Sequence, residues 1–216
     1  MTSRPKQAEP RPQPRLMLIT PSMTDVEAFA PALADALAAA DIAAVVQRLG
    51  PGDERERINR IKRLAPLCQE RGAALLLDGD VDLVARGGAD GAHLAGIDAF
   101  SAALDRLKPD RIGGCGGLKT RHDAMLAAER AADYVMFGEP DADGVRAPFA
   151  ALQERVAWWQ EVFETPCVAY AAASDEVHAL AVAGADFVAL GAWAWADAAA
   201  LIRAAADALR LPETAT

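Results

Sequence analysis

Eight short apolar runs, each followed by a stretch with helical spacing, constrain this chain more than any other feature of its sequence. The runs cover residues 16–20 (LMLIT), 42–49, 74–77, 92–94, 111–115, 134–137, 167–171 and 187–190. They are almost continuously apolar rather than alternating, which is the signature of parallel strands covered by helices. Helices are expected between them. Thr24 and Glu27 form a capping box for a helix through Ala40, with Pro31 delaying or kinking it. A second helix spans residues 54–71, with Ile58, Ile61, Leu64 and Leu67 on one face and Gly72 as its stop. Others cover 81–86, 99–107 (ended by Pro109), 121–131, a long stretch to Phe163, a Ser174-capped segment to Ala183, and 196–209. Three similar pieces, GGADGAHL, RAADYVMFG and AGADFVALG, repeat a helix end, a small-residue turn, an Asp and a strand.

Eight such units in 216 residues fit an α/β fold of the (β/α)8 TIM-barrel type, slightly shorter than the ~250 residues typical of it. A doubly wound open sheet is the rival, but no GxGxxG follows the first run. One domain is expected over residues 15–210, with a Pro-rich disordered arm over 1–14 and a tail over 211–216. The formal charge of −9 argues against nucleic acid or an anionic membrane as main partner. No run approaches the ~18 apolar residues of a membrane span, and residues 1–15 lack the apolar core of a secretory signal. Cys68, Cys115 and Cys167 show no CxxC spacing, so a reducing cytoplasm fits.

Barrel sites lie at the C-terminal ends of the strands. Those ends are Thr20, Arg48, Asp78, 94–98, 115–122, 138–143, 171–174 and 190–193. Residues 73–94, AALLLDGDVDLVARGGADGAHL, bring carboxylates to the end of a buried strand, where water, a cation or a hydrogen bond must receive them. Asp78, Asp80 and Asp98 could hold Mg2+ together with a diphosphate; Asp80 and Asp98 could equally cap the helices that follow them. Arg48 could clamp a phosphate or carboxylate, or simply be a solvated strand end. In GGCGGLKTRH (113–122), glycines could let backbone N–H groups approach an anion, with Lys119, Arg121 and His122 adding charge. Cations in a first helical turn oppose the helix dipole, so they should face an anion or an acid; a plain flexible turn is the alternative. Cys115 reads as a small core residue before a nucleophile, and His93 and His178 as structural. Trp158, Trp159, Trp193 and Trp195 read as packing residues, with Trp193 alone placed to wall a heteroaromatic ligand.

The order of these pieces resembles thiamine phosphate synthase and the thiazole tautomerase-like proteins: LMLIT, a strand ending at Arg48, LLLDGDVDLV–GADGAHL–Asp98, RIGG, AADYVMFGEP, TPCVAYAA and GADFVALGAW. The resemblance covers about residues 15–205 and implies a (β/α)8 barrel that couples hydroxymethylpyrimidine diphosphate to thiazole phosphate, with Mg2+, releasing diphosphate. The step it implies is dissociative, with cations stabilising the leaving group. Arg48 matches the Arg of the strand-two motif Gln-x-Arg-Glu-Lys, whereas Val46, Leu49 and Gly50 replace its other members. Asp78-Gly79 stands for an Asn-Asp pair, so Gly79 replaces one metal ligand and Asp78 or Asp80 substitutes; Asp98 matches the second carboxylate. Cys115, between Gly114 and Gly116, falls where a Ser is usual. Ala172-Ala173 replace a Gly-Gly phosphate loop, and Leu190-Gly191 fit the matching turn. The Thr-x-Thr-Lys diphosphate loop is replaced by the acidic stretch 138–146, so Arg48, Lys119 and His122, with Arg121, are left to supply catalytic positive charge.

The implied partners are small phosphorylated substrates, with no nucleic acid or membrane, and a homo-oligomer remains open. The alternative is a non-catalytic or regulatory barrel of the same lineage that binds a thiamine precursor or another phosphorylated heteroaromatic ligand. An aldolase- or isomerase-type phosphate barrel ranks last, because no expected strand ends in Lys.

Overall fold

The computed structural model describes residues 12–210. The expected tail and most of the expected arm lie outside them. Eight strands close into one all-parallel barrel in chain order, β1 (Arg15–Ile19), β2 (Ile42–Gln47), β3 (Ala74–Asp78), β4 (Gly91–Ala95), β5 (Ile112–Gly116), β6 (Tyr134–Phe137), β7 (Cys167–Ala171) and β8 (Phe187–Leu190). Leu18 of β1 pairs with Leu190 of β8 and so completes the ring. Outside it run α1 (Val26–Ala39), α2 (Glu54–Gln69), α3 (Val81–Gly87), α4 (Ile97–Leu107), α5 (Arg121–Glu129), α6 (Phe149–Val162), α7 (Glu176–Ala183) and α8 (Ala198–Ala208). A 3-10 turn, Ala192–Trp195, precedes α8, where the sequence suggested helix from residue 196. No described helix is long and apolar enough to cross a membrane.

Alternation along each strand divides the core in two. Met17, Ile19, Ala44, Val46, Leu76, Tyr134, Met136, Val168, Tyr170 and Ala189 fill the barrel interior. Leu16, Leu18, Val45, Leu75, Leu77, Cys115 and Leu190 point the other way and pack against the helices. Continuing the inward set by one step brings Arg48 and Asp78 to the rim. Apolar runs without alternation are therefore what a strand with two buried faces requires.

Local chemistry explains most boundaries. Asp53 and Glu56 form a reciprocal capping box on α2, whose Ile61, Leu64 and Cys68 are buried. α1 is capped by Asp25 rather than Thr24, and it runs through Pro31 without a later start. Pro31 lies in the second turn, where its missing N–H leaves the Glu27 carbonyl without its helical donor. α7 begins after Asp175, one residue beyond the expected Ser174 cap. The last turn of α2 ends at Gln69, short of the expected residue 71.

Gln47 breaks the pattern. It lies one residue off the inward set, on the helix-facing side, fully buried, and neither its Oε1 nor its Nε2 has a hydrogen-bond partner. A one-residue offset in a strand moves a side chain to the opposite face. Desolvating an unpaired amide is unfavourable by about 1–3 kcal/mol. Gln47→Leu, of similar size, is expected to raise the melting temperature by about 2–10 °C in a calorimetric scan. An unchanged or lowered value would show that Gln47 is already satisfied.

Candidate functional site

A cavity of about 450 Å3 opens at the C-terminal mouth of the barrel, lined by Arg48, Asp78, His93, Lys119 and Glu139 among others. Arg48 follows β2. Its backbone N–H donates to the buried Thr20 hydroxyl (3.0 Å), which ties it to the end of β1. Its Nε donates to Asp78 Oδ2 at 3.0 Å. Both Nη groups have no hydrogen-bond partner among the described residues, so the fork is held by one edge and offers the other.

Beneath this pair lies a buried polar chain. Asp78 neighbours His93 across the β3–β4 ladder, His93 neighbours Gly114, and Gly114 neighbours Tyr134. His93 Nδ1 and the Tyr134 hydroxyl are 2.9 Å apart, and His93 Nε2 and Glu139 Oε1 are 3.0 Å apart. Glu139 Oε2 accepts from Gly117 N–H at 3.2 Å. Two glycines make this arrangement sterically feasible. A Cβ on Gly114 would lie 2.0 Å from the Tyr134 ring, and one on Gly116 would lie 1.9 Å from Glu139 Oε2 and 2.5 Å from His93 Nε2. Likewise a Cβ on Gly191 would lie 2.1 Å from the Tyr170 hydroxyl.

Burial disfavours the charged form of His93, but the charge and hydrogen bond of Glu139, helped by Asp78, outweigh it and raise its pKa. Burial likewise opposes ionisation of Glu139, yet His93, the Gly117 N–H and Arg48 pull its pKa down. Both shifts favour the imidazolium–carboxylate form of the pair. Tyr134 stays a neutral phenol, because burial and the nearby Glu139 charge hold its pKa well above the ordinary value.

The structure redistributes the residues suggested by sequence. Arg48, Asp78 and Lys119 meet in the cavity. The other two expected cations do not. Arg121 stacks on Trp158, 4.5 Å from its ring centroid, and His122 is exposed on α5. Their helix start is offset by an acid: Asp123 completes a capping box with Thr120. Gly114 and Gly116 belong to β5 rather than to a loop, and they make room for side chains rather than cradle phosphate. Cys115 faces the helix layer, with its thiol pushed up to about 12 by burial, Glu139 and Asp123, and so is no nucleophile. Leu190 is core, and Gly191 accommodates Tyr170. The N–H of Ala172 is already taken by Glu176 Oε2 at 2.8 Å, and Glu176 is held by both Nη groups of Arg146; Ala173 sits exposed in the same turn. Trp193 donates its indole N–H to Ala171 O at 2.9 Å, bracing β7 rather than walling the cavity.

The three carboxylates expected to hold Mg2+ do not converge. Asp80 occupies the cap position of α3 without capping it, because its carboxylate binds Arg57. Asp98 is exposed in the first turn of α4, which Gly96 rather than Asp98 precedes as cap. Asp78 is engaged by Arg48. Among the described residues no group of three His, Cys, Asp or Glu side chains is placed to hold a metal ion. These side chains therefore form no all-protein cage for Mg2+ among the described residues.

Sequence reasoning passed over Glu139 and Tyr134 and treated His93 as structural. Their link spans 41 and 46 residues of chain, which no local spacing reveals. The usable signal was parity, since His93 lies opposite Asp78 in the ladder.

These shifts have a defined pH dependence. His93 contributes stability that is full below its ordinary value of 6.5 and is lost as pH rises through its raised folded value. Glu139 contributes stability present above its ordinary 4.5 and lost as pH falls through its lowered folded value. By proton NMR, the His93 ring is expected to titrate above 6.5 in the native protein and below it in Glu139→Gln. A native midpoint at or below 6.5 would contradict the ion pair.

Comparison with known proteins follows the same lines. A profile of the thiamine monophosphate synthase family matches residues 16–192. A thiamine-phosphate synthase of Rhodospirillum centenum is 41% identical over 196 residues, covering 89% of this chain and 95% of that protein. One of Hyphomonas neptunium is 35% identical, covering 87% and 89%. Among solved structures, a thiamine phosphate pyrophosphorylase from Pyrococcus furiosus superposes with a TM-score of 0.73 at 22% identity, covering 91% of this chain and 96% of that one, which supports the fold. The match spans the barrel from its first strand to the turn after its last, and this chain belongs to the thiamine monophosphate synthase family.

Proposed function

We propose that this protein is a thiamine-phosphate synthase. It transfers the pyrimidinylmethyl group of hydroxymethylpyrimidine diphosphate to the ring nitrogen of thiazole phosphate and releases diphosphate. The observation that carries the reading is Arg48: a guanidinium fixed along one edge by Asp78, with both Nη groups free at the barrel mouth beside Lys119. A planar fork held in place is suited to phosphate oxygens. Preorganised charge aimed at a leaving group lowers the barrier without reorganisation during the reaction.

The carbon–oxygen bond to diphosphate breaks with its electron pair leaving on oxygen, and the thiazole nitrogen lone pair forms the new carbon–nitrogen bond. Arg48 and Lys119 serve the departing diphosphate. No step is assigned to Mg2+, because the expected carboxylates are engaged by Arg48 and Arg57 or lie apart. The barrel mouth accepts small phosphorylated molecules, and we read the compartment as the cytoplasm. Cys68 and Cys115 are buried free thiols, in keeping with that reading.

The test is coupling of the two substrates by purified protein, with product identified by mass spectrometry. Arg48→Ala is expected to lower kcat/KM about 10²–10³-fold, the range for removing one preorganised donor. Lys119→Ala is expected to lower it about two- to fivefold, as befits one exposed charge. Arg121→Ala and His122→Ala should stay within about twofold of the parent, since neither lines the cavity. Thermal stabilisation by a thiamine precursor without turnover would favour the non-catalytic alternative instead.

A further inference from the structure

Four carboxylates line the mouth: Asp78 is bound by Arg48, Asp141 and Asp143 are exposed, and Glu139 is neither. It follows β6, lines the same cavity, and keeps only 12% of its side chain exposed. It is a built feature rather than a loop acid. Each oxygen is anchored, Oε1 by His93 and Oε2 by the Gly117 N–H. Its seat exists because β5 carries no side chain at Gly116. A carboxylate has about four acceptor positions, and these anchors use two, so acceptor capacity remains. Tyr134, His93 and Glu139 form a line whose negative end is Glu139, with His93 buried behind it. The cavity is thus lined both by the cations Arg48 and Lys119 and by a fixed anion, Glu139.

We propose that Glu139 is a catalytic residue that accepts the exocyclic amino N–H of the aminopyrimidine substrate and stabilises the positive charge building on that ring as its bond to diphosphate breaks. The inference rests on the synthase reading above and names the group that faces the other half of the same substrate. The diphosphate lies against the cations, where its charge grows, and the ring lies against Glu139, where positive charge appears. A buried, anchored anion acts here as preorganised donors act at an oxyanion, with the sign reversed. No proton is gained or lost: the electron pair of the broken bond leaves with diphosphate, and the thiazole nitrogen supplies the pair of the new one.

Two measurements test this, after product formation by the parent protein has been established. Glu139→Gln keeps the shape and removes the charge. It is expected to lower kcat about 10²-fold while leaving KM for thiazole phosphate within about threefold. A folded variant, judged by circular dichroism, whose kcat stays within about threefold of the parent would overturn the proposal. The second measurement needs no variant. Calorimetric titration of the parent protein compares 4-amino-5-hydroxymethyl-2-methylpyrimidine with its analogue lacking the amino group. The amino compound is expected to bind about tenfold or more tightly, the range for a hydrogen bond to a charged acceptor. Equal binding would reject the contact even if Glu139→Gln fails to fold. Absence of product from the parent protein would instead remove the synthase reading itself, and this proposal with it.

Discussion

Closure of eight parallel strands into one ring governs everything else in this molecule. Each strand sends alternate side chains into an interior too narrow for eight large residues per layer. Where Tyr134 and Tyr170 enter, glycines must stand beside them, and Gly114 and Gly191 do. Where His93 and Glu139 meet, the space comes from Gly116. The same alternation sends Leu75, Leu77 and Cys115 outward to the helices and delivers Arg48 and Asp78 to the rim. The chemistry at the mouth is therefore a consequence of parity and of side-chain volume in the layers below it.

Charge at that mouth is organised in pairs. Arg48 is coupled to Asp78 and His93 to Glu139, while Glu176 occupies both Arg146 and the Ala172 N–H. A single buried charge would be prohibitive, whereas a paired and hydrogen-bonded one is tolerated. Pairing leaves selected edges free: two Nη groups on Arg48 and two acceptor positions on Glu139. This brings opposite fixed charges to one small cavity, the arrangement that the proposed separation into a cationic ring and an anionic leaving group calls for.

Much of the fold was legible along the chain. The sixth, seventh and eighth strands begin and end where their apolar runs do, at Tyr134–Phe137, Cys167–Ala171 and Phe187–Leu190. The fifth was harder, because glycines weaken a strand and read as a loop. Gly114 and Gly116 are there for their neighbours' side chains, and those neighbours are remote in sequence. Arg48, Asp78 and Lys119 were recoverable because they end strands or begin loops. Glu139 was not, since its meaning comes from His93 on β4 and Gly117 after β5. Arg121 and His122 misled for the opposite reason. Their local spacing suggested an anion site, while Trp158 and the Thr120–Asp123 box account for them.

The central claim is that one cavity holds the diphosphate at Arg48 and the pyrimidine at Glu139. A crystal structure of the parent protein with hydroxymethylpyrimidine diphosphate, in the absence of the thiazole phosphate acceptor, tests it most directly. The account predicts diphosphate oxygens within hydrogen-bond reach of the Arg48 Nη groups and the ring amino group against Glu139, with the Arg48–Asp78 and His93–Glu139 contacts retained. Diphosphate bound instead at Arg121 and His122, or a pyrimidine ring away from Glu139, would contradict it.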